Sequence, residues 1–116
     1  MTRRAEGEGH ELKAAEYLCS QGLKLVDSNY HSRMGEIDLI MQDGDSIVFV
    51  EVRYRKNSHY GGAAMSITPA KQRKIALTAL HYLQSKNKTN EVCRFDAVTI
   101  SVSGLNWIKN AFDSPL

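Results

Sequence analysis

Residues 35–55 read GEIDLIMQDGDSIVFVEVRYR: two apolar runs, each with acids near its middle, joined by Asp43-Gly44-Asp45. The pattern predicts strands over 35–42 and 46–55, closed into a hairpin by the acidic turn. With Gly44-Asp45 as a two-residue turn, Asp43 pairs with Ser46 and paired positions sum to 89. Ile37, Leu39 and Met41 then face Val52, Val50 and Val48, an apolar face that must be core. The other face pairs Ile40 with Phe49, Asp38 with Glu51, and Glu36 with Arg53. A turn centred on Asp43-Gly44 shifts partners by two, keeps parity and makes Asp38 a diagonal neighbour of Glu51. A three-residue loop would put apolar residues on the wrong face. Either surviving register places two carboxylates on one face. Directly opposed, about 5 Å apart at an effective dielectric near 20, they repel by roughly 3 kcal/mol. A divalent cation offsets such repulsion; so does a surface ion network with Arg53 and Arg55.

Working outward, residues 6–21 predict a helix, with Leu12, Ala15, Leu18 and Cys19 at helical spacing and Gly22 as its stop. Glu11 lies two turns before Leu18, so it sits beside the apolar stripe and aims at the sheet. An isolated buried carboxylate needs a partner. Residues 23–32 read as a first strand. Residues 56–67 form a glycine-hinged loop, and Tyr54-Arg55-Lys56 to Tyr60-Gly61-Gly62 mixes basic and aromatic groups able to close over a nucleic-acid strand. Thr68-Pro69 opens a second helix running to about Ser85, with Ile75, Ala76, Ala79, Leu80 and Leu83 inward. Residues 92–101 are a further strand, and the tail adds a short strand or turn that packs Trp107 and Phe112. The order is α-β-β-β-α-β: a small mixed sheet flanked by helices in one α/β domain.

The 116 residues, 42% of them hydrophobic, suit one modest core. A net charge of +2 does not by itself argue for nucleic acid, but the cations cluster, at Arg3-Arg4, at Arg53 to Lys56 and at Lys71 to Lys74. Lys71, Arg73 and Lys74 oppose the dipole of their helix start, which favours a phosphate-contact role over a merely solvated face. Cys19 and Cys93 are far apart and fit reduced thiols rather than a disulfide framework. With no apolar stretch of membrane-spanning length and no secretory signal, a soluble cytoplasmic protein is expected. His10, His31, His59 and His81 lack metal-ligand spacing, and Asp96 beside Arg94 reads as a structural ion-pair partner.

These residues carry a resemblance. Glu11-x-x-Ala14-x-x-Tyr17-Leu18, Gly35-Glu36-Ile37-Asp38-Leu39-Ile40, Val48-Phe49-Val50-Glu51-Val52-Arg53, the Lys71 region and Arg94-Phe95-Asp96 are similar to the YraN-like bacterial family. The helix acid, Asp38, and Glu51-Val52-Arg53 resemble the PD-(D/E)xK, restriction-endonuclease-like nucleases. The resemblance implies a metal-dependent nuclease with a resolvase-like active site over residues 1–116. Asp38 and Glu51 would hold Mg²⁺ or Mn²⁺, with the Val52 carbonyl as a further ligand. Glu11 would join them directly or through a water. Arg53 completes the catalytic set, and Arg55, Lys56, Lys71 and Lys74 would bind nucleic acid, DNA in preference to RNA. A junction-cutting role would require a homodimer, and no membrane is involved. The usual Lys of the motif is Arg53 here, which can grip a phosphate but cannot yield a proton at neutral pH; the usual Pro before Asp38 is Ile37. The alternative is a non-catalytic nucleic-acid-binding or scaffold module on the same fold, and a third reading is a structural partner protein whose acids form ion pairs.

Overall fold

The computed structural model describes residues 3–55 and 67–116. Helix α1 (Arg3–Ser20) is followed by strands β1 (Lys24–Ser32), β2 (Gly35–Asp43) and β3 (Ser46–Arg55); α2 (Pro69–Ser85), β4 (Val92–Ser101) and β5 (Gly104–Phe112) complete the chain. The expected order holds, with one correction: the tail is a full nine-residue edge strand, not a short one. The end of α1 and the start of α2 form where the sequence places them, whereas α1 begins at Arg3 rather than at residue 6. Gly22, at φ +101°, closes α1, with Leu23 N–H bonded to the Leu18 carbonyl and Gly22 N–H to that of Cys19. Leu18 and Leu23 share the same buried cluster, which completes this left-handed cap. Because an L side chain is strained at that φ, Gly22→Ala is expected to cost about 1 kcal/mol, read as a lower urea midpoint with an unchanged slope. Thr68 caps α2 by accepting the Lys71 N–H at 3.2 Å, with Pro69 in the first turn.

The five strands lie in the order β1-β2-β3-β4-β5, antiparallel except for β3 and β4. That parallel pair is joined through α2, and the two helices cover opposite faces. Ala14, Ala15 and Leu18 of α1 pack on Leu39, Met41, Val48, Val50, Val98 and Ile100. Ile75, Ala76, Ala79, Tyr82 and Leu83 of α2 pack on Ile40, Ile47, Phe49, Phe95 and Ala97. Both hairpin faces are therefore core, whereas the sequence marked only one as wholly apolar. On α1, Leu12 and Cys19 turn outward, leaving the inward arc to Glu11, Ala14, Ala15 and Leu18. On α2, Leu80 is exposed and Tyr82 is inside, meeting Tyr30 and Phe49 edge to face at 5.2 and 6.0 Å. No helix among the described residues is long and apolar enough to cross a membrane.

Asp96 anchors the far edge. It is 1% exposed at a register irregularity between β4 and β5, and accepts from Arg94 Nε, Trp107 Nε1 and the Asn110 N–H, each at 3.0 Å. Arg94 also reaches Asp43 at 2.8 Å. The expected structural role of Asp96 is what the fold displays.

Candidate active site

The hairpin register is the one summing to 89, from Asp43–Ser46 to Leu39–Val50. There the ladder ends. Asp38 does not sit opposite Glu51 as a regular pair; its Oδ2 accepts the Val52 N–H at 2.8 Å, so the carboxylate occupies the seam between the strands. The alternation of side chains breaks at this level. Ile37 packs under α2 while Leu39, two residues on, packs under α1, although a regular strand would send both to one face. The expectation that Ile37 joins Leu39 and Met41 is thus corrected. On β1 the same step occurs: Ser28 is level with Leu39 and Tyr30 with Ile37, and Tyr30 packs against the α2 cluster. Between them Asn29 adopts φ +52°, a conformation that asparagine tolerates better than most residues.

This break lets acids from both faces meet. Glu51 follows Phe49 on the α2 face, and Lys71 Nζ of α2 lies 3.6 Å from its Oε2. Glu11 descends from α1 on the other side. Burial pushes Glu51 up from 4.5 to about 7; the Asp38 charge and a hydrogen bond with Asp38 push the same way, and Lys71 and Arg53 only partly oppose them. Glu11 is likewise raised from 4.5 to about 7 by burial, then by the charge of Asp38 and a hydrogen bond with it, while a bond with Asn29 lowers it. Asp38 is the shared neighbour of both. Burial is the first cause of both shifts and the Asp38 charge the second, so each proton is held by a carboxyl that is partly desolvated beside another acid.

Two grooves flank the seam. One, about 280 Å³, runs between α1 and β1 and is lined by Glu11, Leu12, Ala15, Leu25, Asn29 and Leu39 among others. The second, about 250 Å³, opens at the start of α2 between Glu51, Arg53, Ile67, Thr68 and Lys71. Among the described residues no group of three or more His, Cys, Asp or Glu side chains is arranged as a ready-made metal cage. What is present is a set of hard oxygen donors with two features of a cation seat. Glu11 Oε1 is buried without a hydrogen-bond partner among the described residues, and Asp38 and Glu51 repel each other. Within a strand the N–H and C=O of one residue point to the same side, so the Val52 carbonyl aims toward the seam that its N–H enters. Two carboxylates with a carbonyl and waters suit Mg²⁺, which seldom takes an all-protein cage.

The other site residues divide. Lys71 reaches Glu51, whereas Lys74 is exposed a turn further along α2, its Cβ side against Gly35. Arg55 is half-buried, with Nε lacking a partner among the described residues. Lys56 and the loop to residue 66 lie outside the described residues, as do the side chains of Arg3 and Arg4. Sequence reasoning missed Asn29 and the ring contact of His10 with Tyr54, whose centroids are 4.2 Å apart in nearly parallel planes. An asparagine within a strand was the one available signal for the first; the second had none.

A mixed α/β domain whose sheet breaks at Asp38, with Glu11 and Glu51 each neighbouring that residue, is the class that the geometry defines. Within it, the chain belongs to the family described as Uncharacterised protein family UPF0102, the YraN-like family, whose model matches residues 10–100. It is 53% identical to a UPF0102 protein of Nitrosomonas eutropha over 93% of each chain. It is 50% identical to one of Alkalilimnicola ehrlichii, over 94% of this chain and 87% of that one. With the UPF0102 protein of Herminiimonas arsenicoxydans it shares 46% identity over 97% of this chain and 90% of the relative.

Proposed function

We propose that this protein is a metal-dependent nuclease with a restriction-endonuclease-like fold, hydrolysing phosphodiester bonds of nucleic acid, DNA in preference to RNA. One observation carries the reading: Asp38 draws Glu11 and Glu51 from opposite faces of the sheet to one seam, beside a groove lined by Arg53 and Lys71. The order of elements, with a parallel β3–β4 pair joined through α2, agrees with it. Asp38 and Glu51, with the Val52 carbonyl, would hold Mg²⁺ or Mn²⁺. The ion supplies an acidified water and charge neutralisation at the phosphate. Glu11 would orient a water beside the ion and, with its raised affinity for a proton, would accept one. Lys71 and Arg53 seat the phosphate, and Arg53 stabilises charge without exchanging a proton. A homodimer would bring two such sites to a junction.

The second reading is a nucleic-acid-binding module without turnover. Arg53 in the place of a titrating lysine favours it, as does the absence of a ready cage among the described residues. Labelled single-stranded, duplex and branched DNA and RNA, incubated with Mn²⁺, separate the two. Cutting by the wild type and its loss in Glu51→Ala support the nuclease; binding without cutting, unchanged in Glu51→Ala, supports the module. In the nuclease, Arg53→Lys is expected to retain cutting, and Arg53→Ala to lose on the order of 100-fold in kcat.

A further inference from the structure

Among the described side chains, the fully buried ones that anchor α1 on the sheet begin at Ala14, and Leu12 is 60% exposed. Glu11 lies about one turn ahead of that anchor. What meets the sheet there is the ring pair. His10, the residue before Glu11, stacks on Tyr54, the residue after Arg53, at 4.2 Å with 6° between the planes. Along the same flank Tyr17 meets Trp107 edge to face at 6.3 Å. Residues 10 and 17 are two turns apart and project alike. The helix therefore rests on two ring contacts along one side, and Glu11 points inward between that side and the groove lined by Leu12 and Leu25.

We infer that His10 and Tyr54 form an aromatic latch that fixes the start of α1 on β3 and thereby sets Glu11 against Asp38; both are positioning residues. A parallel stack resists sliding of the helix along the strand and rotation about its own axis. Either motion would withdraw the Glu11 carboxyl from the seam. Asp38 and Glu51 lie on the hairpin, so loosening the latch would leave their contribution in place and remove only that of Glu11. The imidazole acts here as a flat ring, not through its proton.

The inference rests on the nuclease reading for its kinetic part, and the test separates the two. His10→Ala and Tyr54→Leu are compared with His10→Phe, which keeps a flat ring and cannot titrate. Three measurements are made: amide hydrogen exchange over residues 9–13, the thermal shift caused by Mn²⁺, and Mn²⁺-dependent cutting of labelled DNA. The latch requires faster exchange over 9–13 in His10→Ala and Tyr54→Leu. It also requires a retained Mn²⁺ shift, a fall in kcat of at least about tenfold with little change in KM, and recovery of exchange and kcat in His10→Phe. Unchanged exchange in His10→Ala overturns it. So does a failure of His10→Phe to recover, which would assign the loss to imidazole chemistry. If the wild type cuts nothing, the nuclease reading falls alone, and exchange with its recovery in His10→Phe still decides the latch.

Discussion

Asp38→Asn is expected to abolish Mn²⁺-dependent cutting, by about 1,000-fold or more, while making the metal-free protein more stable above neutral pH. Both effects come from one charge. Asparagine retains an oxygen that accepts the Val52 N–H, so the seam between β2 and β3 survives the change. What disappears is the negative centre that raises Glu11 and Glu51 together. Relieved of it, both carboxyls fall part of the way toward their ordinary range, burial still holding them up, and the folded state no longer bears the repulsion of each against residue 38 at pH 8. The gain should be on the order of 1 kcal/mol, since part of the interaction is screened by water. An ion that depends on two carboxylates loses one of them, and with it the means to acidify a water. The measurements are a cutting assay and urea unfolding at pH 8 without metal. Near-normal cutting would remove Asp38 from the site; lost cutting with lost stability would recast it as structural.

The line between what the sequence disclosed and what it withheld runs through this same residue. The two strands of residues 35–55, their register and the Thr68-Pro69 helix start all follow from short-range rules: alternation, turn length and capping. Glu11 was legible because seven residues is close to two helical turns. The seam was not. Strict alternation assigns Ile37 and Leu39 to one face and sets Asp38 squarely across from Glu51. The fold instead shifts the side-chain phase by one residue on β1 and β2 together, at Asn29 and Asp38. Such a step is a tertiary accommodation, since it lets Ile37 and Tyr30 fill space beneath α2. Apolarity has no direction, so the pattern of residues does not encode it. Tyr82 replaced Leu80 inside for a similar reason: ring packing against Phe49 and Tyr30 decided the rotation of α2 within an apolar arc that accommodates either residue. The family to which the chain belongs was legible through its ordered motifs, all of which lie within the matched span 10–100.

The metal-free protein is expected to lose stability as pH rises from 5.5 to 8.5, and Mn²⁺ is expected to reverse the loss. Glu51 titrates near 4.5 when unfolded and at about 7 when folded. Between those values the folded state binds the proton more tightly, so stability is fully present below pH 4.5 and disappears as pH climbs through 7. Glu11 moves in the same direction, but it is partly exposed and water screens most of its contribution. Because both share Asp38, their contributions do not add; a combined loss of about 2 kcal/mol is expected. In a domain of this size that lowers Tm by about 10 °C. Glu51→Gln isolates the effect, because glutamine stays neutral throughout: its stability should fall less over the same interval and exceed the wild type at pH 8.5. A bound cation exchanges with the proton, so Mn²⁺ at about 100 times its Kd should restore roughly 2.7 kcal/mol to the wild type at pH 8.5. It should do little at pH 5.5, where protons hold the carboxyls, and little to Glu51→Gln at either pH. Thermal unfolding at the two pH values, with and without Mn²⁺, tests all of this. A wild type as stable at pH 8.5 as at 5.5, with Glu51→Gln tracking it, would mean that the carboxyls already have their charges balanced within the fold.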